Sequence, residues 1–288
     1  MDAADRSSLP RRASPPDREP LPRSIHELPP IEPSFWSVVD DGLAEVGLAL
    51  GAGERAAIEA HVRLLLSWNA RINLTALRSA EQVARGHVLD SLAALPALRN
   101  LVGPGASVLD LGSGGGYPGL PIAIALPARR MALVDSTGKK AAFLEVAASA
   151  VQDALGRAGL PAPDITAIAE RAEDLADEPD QRESWDLVVA RAVGSMAEVA
   201  ELCLPLTRRG GSVVAWKRDA GDGALAEEVA RSARICHAAG GGTPVVVTVE
   251  AAARLRLAGH CLVVIHKHRA TPDRYPRPVG ERRRSALP

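Results

Sequence analysis

Apolar residues change their spacing once along this chain. From Phe35 to about residue 100 they recur at helical intervals. Within 54–70, Ala57, Ile58, Val62, Leu65, Leu66 and Trp68 keep near a 3.6-residue period, which predicts an amphipathic helix. A second helical stretch covers 79–98. Beyond residue 100 short apolar runs take over. Seven of them predict strands, at 107–111, 131–135, 165–169, 185–190, 212–216, 245–249 and 261–266. Helical segments such as 138–158 and 195–204 separate the earlier ones. This alternation predicts an α/β fold of Rossmann-like type, a mostly parallel seven-stranded sheet covered on both faces. Residues 34–100 would be a helical extension at its N-terminal side and 101–268 the sheet domain. Ligands of such sheets bind beyond the C-terminal ends of the strands, where the strand order reverses.

The first strand runs into the richest local pattern. Residues 108–121 read VLDLGSGGGYPGLP, with Asp110, Gly112, Gly114 and Gly116 two apart. Glycine permits left-handed backbone angles and close approach to a ligand. An acid two residues before the first glycine is typical of enzymes that use S-adenosylmethionine (SAM). Gly114, Gly116 and Gly119 also spell the dinucleotide pattern G-x-G-x-x-G. In a dinucleotide site, however, the first glycine follows the strand directly. Gly112 holds that place, and in its register the third glycine is replaced by Tyr117. The loop therefore favours SAM over NAD or FAD.

Later strand ends add candidates. Asp135 closes the second strand about twenty residues on, where an acid accepts hydrogen bonds from ribose hydroxyls; its plainer role is to cap the next helix, through the turn formed with Ser136 and Thr137. After the third strand comes Glu170-Arg-Ala-Glu-Asp174, either a lining for adenine or a solvated charged loop. Arg191 ends the fourth strand in an apolar setting, where burial demands an anionic partner. That partner is the SAM carboxylate, an RNA phosphate or a neighbouring acid. His87, Asp90 and Ser91 share one helix face, more simply as a helix-to-sheet cluster than as a pocket wall.

Composition narrows the classes. Apolar residues make up 47% and charged residues 24%, no apolar run reaches a membrane span, and no signal-peptide pattern opens the chain, so a cytoplasmic protein is expected. Cys203, Cys236 and Cys261 are too few and too scattered for a disulfide framework or a zinc site. No metal, no membrane and no stable protein partner are implied. The net charge of −1 hides an asymmetry, because residues 266–288 carry seven Lys/Arg against two acids. A basic tail at 269–288 is either solvated or bound to phosphates. Residues 1–33 contain eight prolines without periodicity and read as a disordered leader.

Taken in order, several segments resemble the RsmG (GidB) family of bacterial small-subunit rRNA methyltransferases. They are Trp68-Asn-Ala-Arg-Ile-Asn-Leu-Thr75, His87-Val-Leu-Asp-Ser91, the glycine loop, Leu133-Val-Asp-Ser-Thr-Gly-Lys-Lys140, Arg171-Ala-Glu-Asp174, Ala190-Arg-Ala-Val193, residues 205–217 and the tail around Tyr275-Pro-Arg-Pro278. The resemblance implies SAM as methyl donor and one guanine N7 of 16S rRNA as acceptor, on the small subunit or an assembly intermediate. It implies cofactor contacts from Gly112, Gly114, Gly116, Tyr117, Asp135, Ser136, Thr137, Ala172, Glu173 and Arg191. RNA contacts would come from Arg85, Lys139, Lys140, Lys217, Arg218, Arg274 and Arg277. The chain departs from the family where Gly86, not arginine, precedes His87, and where Arg218 rather than glycine follows Lys217.

The chemistry agrees with what the strand ends carry. Guanine N7 has a free lone pair, so transfer needs alignment rather than a base. After the fourth strand the chain reads Ala190-Arg-Ala-Val, not the Asn/Asp-Pro-Pro-aromatic motif of amine methylation. Cys203 lies in an apolar helical stretch and fits the core better than a nucleophile's role. Two other functions share the fold: methylation of a small molecule, and nucleotide binding without catalysis.

Overall fold

A computed structural model of the chain describes residues 20–284. Its N-terminal part holds α1 (Pro33–Glu45), α2 (Ala52–Ile72), α3 (Ala80–Val83), a π-helical turn (Ala84–Leu89), α4 (Asp90–Leu92) and α5 (Leu95–Arg99). The single helix expected over 79–98 is thus broken. The π turn widens it at Arg85-Gly86-His87, and Pro96, which has no N–H to donate, sits in the first turn of α5.

The sheet follows: β1 (Ser107–Leu111), α6 (Gly119–Ala125), β2 (Arg130–Val134), α7 (Gly138–Arg157), β3 (Asp164–Ile168), α8 (Ala172–Asp177) and β4 (Trp185–Arg191). Then come α9 (Met196–Cys203), β5 (Thr207–Arg218), α10 (Ala224–Ala238), β6 (Val245–Thr248), β7 (His260–His266) and α11 (Val279–Arg284). The strand order is β3-β2-β1-β4-β5-β7-β6, with β7 antiparallel to both neighbours. All seven expected strands are present. β5 begins five residues early because its first half, rich in arginine and glycine, pairs with β4 across a register shift at Trp185 and Leu187.

Side-chain alternation splits the core in two. Val108, Met131, Leu133, Leu187, Val189 and Val214 face one layer, with α1, α2 and α7. Leu109, Leu111, Ala132, Val188, Val213 and Val263 face the other, with α8, α9 and α10. This is period-2 packing on a sheet covered twice. β1 leads outward to β2 and β3, and β4 starts the opposite half, so the reversal of strand order lies between β1 and β4.

Both expected termini need correction. Residues 1–19 of the proposed leader lie outside the described residues. Residues 20–33 are laid against α2: Trp68 Nε1 donates to the Pro22 carbonyl at 2.7 Å, and Arg63 donates to the carbonyls of Ile25, Leu28 and Pro29. Leu21, Ile25, Leu28 and Ile31 pack on the core there, a pattern the prolines obscure. At the other end the basic tail folds back onto the domain. Arg277 forms an ion pair with Glu201, which is buried, so Arg277 is a structural anchor and not the RNA contact expected of it.

Candidate functional site: two clefts at the strand ends

Gly112 is the first residue after β1, with φ +75°, and Gly114 and Gly116 follow at +56° and +85°. A Cβ on Gly112 would stand 2.8 Å from Val193 Cγ2, so the loop passes that close only as glycine. Asp110 braces the loop from below. Its Oδ2 accepts from Ser113 Oγ at 2.6 Å and from the Gly119 N–H at 2.9 Å. Burial pushes its pKa up to about 6 against those hydrogen bonds. Asp135 ties the loop to the next turn, Oδ2 accepting from the Gly114 N–H at 3.1 Å and Oδ1 from the Thr137 N–H at 2.9 Å.

Gly112, Asp135, Ser136, Ala172 and Glu173 line one cleft of about 290 Å³, together with Leu111, Val134, Glu170, Arg171, Val193, Glu198 and two residues of α11, Val279 and Arg282. Half of the expected cofactor residues therefore meet on one wall. The rest do not line it. Gly114 and Thr137 act through Asp135, and Gly116 packs beside His61. Tyr117 is buried in a stack between His61 and His87, each ring centroid 4.5 Å away. The cleft suits SAM: Asp135 retains lone pairs for ribose hydroxyls, the bare glycine backbone admits a ligand, and four carboxylates, Asp135, Glu170, Glu173 and Glu198, outnumber two cations, Arg171 and Arg282, which favours a cationic sulfonium ligand.

A second cleft of about 260 Å³ adjoins it, also lined by Val193. Its other walls include Asp90, Arg191, Trp216, Lys217, Arg218 and His260. Between the two clefts the chain turns through Ala192 in the left-handed region (φ 58°), an uncommon conformation for a residue with a Cβ. Arg191 is engaged from inside. It donates to Asp90 Oδ2 at 2.9 Å, to the Gly86 carbonyl at 3.2 Å and to His87 Nδ1 at 2.9 Å. His87 Nδ1 also lies 3.0 Å from the Gly86 carbonyl, and its Nε2 lies 2.7 Å from Thr75 Oγ1. Burial and the Arg191 charge pull the His87 pKa down to about 3, so the ring is neutral at pH 7. Asp90 closes the network by accepting from His260 Nδ1 at 2.8 Å. The helix-to-sheet reading of His87 and Asp90 thus holds, and the acid partner of Arg191 is Asp90.

The other expected RNA contacts divide. Lys139, Arg218 and Arg274 are exposed. Arg85 donates to the Leu255 carbonyl, and Lys140 lies 3.8 Å from Asp135. Lys217 is turned inward to the Gly194 carbonyl and Glu228, both at 2.8 Å. At Gly86 a Cβ would meet Leu77 Cδ1 at 2.8 Å, so the family's arginine would require that leucine tip to move. Burial raises the pKa of the Cys203 thiol, which belongs to the core. Sequence reasoning missed His260 and Arg282. His260 stands alone in its local sequence and Arg282 is one of three consecutive arginines, and only the fold brings each to a cleft.

A family model described as rRNA small subunit methyltransferase G matches residues 54–251. A protein of that name from Moorella thermoacetica is 40% identical over 240 residues, covering 82% of this chain and 91% of its own length. One from a Roseiflexus species is 41% identical over 216 residues, covering 75% and 84%. The family model spans α2 to β6, with the glycine loop and most of the residues that line both clefts, and the chain belongs to the rRNA small subunit methyltransferase G family.

Proposed function

We propose that this chain transfers a methyl group from SAM to N7 of a single guanine in 16S rRNA, acting on the small ribosomal subunit or an assembly intermediate in the cytoplasm. The observation that carries the reading is the pair of adjoining clefts, one acidic and glycine-lined, the other lined by Arg191, Lys217, Arg218, His260 and Trp216. A cationic methyl donor fits the first and an anionic polynucleotide the second, with Val193 between them.

SAM would supply an activated methyl on a positive sulfur. Gly112, Asp135, Ser136, Ala172 and Glu173 would hold it. The chain's own task is orientation: the left-handed turn at Ala192 and the Arg191–Asp90 brace fix the partition past which N7 must approach. N7 carries no proton, so the neutral His87 ring is not needed as a base. Arg218 and Lys139, both exposed, would contact phosphates, which position RNA without reading its sequence.

The test is transfer of labelled methyl from SAM to small subunits lacking the modification, followed by borohydride and aniline cleavage at 7-methylguanine. One cleavage site in 16S rRNA is the expected result. Failure with both subunits and naked rRNA, while SAM still binds, would move the reading to a small-molecule acceptor.

A further inference from the structure

The basic tail does not behave as a tail. From Lys267 onward it runs along the domain, and Lys267, Arg277 and Arg282 pair with acids of the domain. Lys267, almost fully buried, bonds the Leu204 carbonyl and Glu183, each at 2.6 Å. The Thr271 N–H donates to the same Glu183 carboxylate at 2.7 Å. Arg182 reaches across to the carbonyls of Thr271, Pro272 and Tyr275. The Tyr275 ring is buried, and Arg277 grips Glu201 through Nε at 2.7 Å and a terminal nitrogen at 2.8 Å. These anchors deliver α11 to the SAM cleft. Val279 and Arg282 line it, and Arg282 pairs with Glu173 on the same wall while also donating to the Arg277 carbonyl.

We propose that this C-terminal strap is a wall of the cofactor cleft, with Arg282 as a positioning residue for Glu173, so that strap docking and SAM binding stabilise each other. This rests on the reading of that cleft as the SAM site. The argument is one of order. Glu173 opens α8 on a flexible side chain, and a carboxylate that must meet the ligand in one rotamer loses affinity if it is left free. Arg282 fixes that rotamer, and it is itself fixed by the strap's anchors. Coupling of this kind is reciprocal: whatever the strap adds to SAM affinity, SAM adds to the strap.

SAM dissociation constants are measured by calorimetry for the parent chain, Arg282→Ala, Arg282→Lys, a chain ending after Pro278, and Asp135→Ala as a control on the cleft. Amide exchange of residues 277–282 is followed with and without SAM. Arg282→Ala and the shortened chain should bind SAM about five- to tenfold more weakly, the loss expected of one charge-assisted contact. Arg282→Lys should recover most of that loss, and SAM should slow exchange in the strap. Parent-like affinity in Arg282→Ala and the shortened chain, with Asp135→Ala impaired, would overturn the strap's role and leave the cleft standing. Parent-like affinity in Asp135→Ala as well would remove the cleft reading and the inference with it. If the shortened chain does not fold, strap exchange in the parent decides, and indifference to SAM there overturns the coupling.

Discussion

The two clefts meeting at Val193 are built by different means. The proposed SAM cleft draws most of its lining from short contiguous segments, the loop after β1, the end of β2 and the turn into α8, and is completed by residues of α9 and α11. The second cleft is mostly side chain. Asp90 comes from α4, Arg191 from β4, Trp216 and Lys217 from β5 and His260 from β7. A glycine loop fails on an added Cβ, whatever its distant neighbours do. A side-chain site depends on every partner of its network, because removing one leaves another buried and unpaired.

The difference is broken most sharply at Gly112. A valine there would put a Cβ 2.8 Å from Val193 Cγ2, at a φ of +75° that β-branched residues avoid. Gly112→Val should weaken SAM binding by roughly a hundredfold or more, about 2.8 kcal/mol. Calorimetric titration reads this directly. Affinity within a factor of three of the parent would mean that the loop is not the cofactor's seat.

Arg191→Ala tests the other style of construction. Asp90 is nearly buried and its pair with Arg191 largely so. Breaking such a pair strands a carboxylate, with a cost of about 3 kcal/mol or more. The urea midpoint should fall accordingly, and methyl transfer with it. A variant that loses transfer but keeps its midpoint would make the guanidinium a ligand for substrate instead of a brace.

The same contrast explains what the sequence reveals. Gly112, Asp135 and Ala172-Glu173 are legible because each belongs to a contiguous motif at a strand end. The strands themselves are legible because both sheet faces are covered, which leaves apolar runs with sharp ends. His260 is not legible: it follows Gly259 at a strand start and gains meaning only when β7 inserts between β5 and β6. Arg277 and Arg282 mislead in the opposite way. A basic cluster near a chain end reads as a surface for phosphate until the fold supplies Glu201 and Glu173. Residues 20–33 misled because proline content masks an apolar spacing that packs on α2.

Buried histidines give the side-chain network a pH signature. Burial lowers the His61 pKa from 6.5 to about 4, and burial with Arg191 lowers His87 to about 3. Below pH 6.5 the unfolded chain takes up protons that the folded chain refuses, so stability falls as pH falls. Each ring contributes up to ~1.4 kcal/mol per pH unit. Asp110 acts in the opposite sense. Its pKa is raised from 3.8 to about 6, so between pH 6 and 4 the folded chain binds that proton first and gains stability. One proton's net loss should remain over that range. His61→Gln should nearly abolish it, read from urea midpoints at pH 7, 6 and 5. A variant with the parent's full slope would mean that His61 is protonated inside the fold.

The smallest expected effect separates two adjacent cations at the end of β5. Lys217 is held by the Gly194 carbonyl and Glu228, whereas Arg218 is exposed at the mouth of the second cleft. A cation that meets phosphate releases a counterion, and one already paired inside does not. Arg218→Ala should therefore weaken rRNA binding a few-fold and lower the slope of log K against log salt by about 1. Lys217→Ala should leave that slope unchanged and instead loosen the turn at Gly194 that it holds. Filter binding to small-subunit rRNA between low and moderate salt gives both slopes. Equal slopes for the two variants would show that Lys217 leaves Glu228 for the RNA when it binds. The second cleft would then be rebuilt by its substrate, while the glycine loop of the first is set by its own backbone.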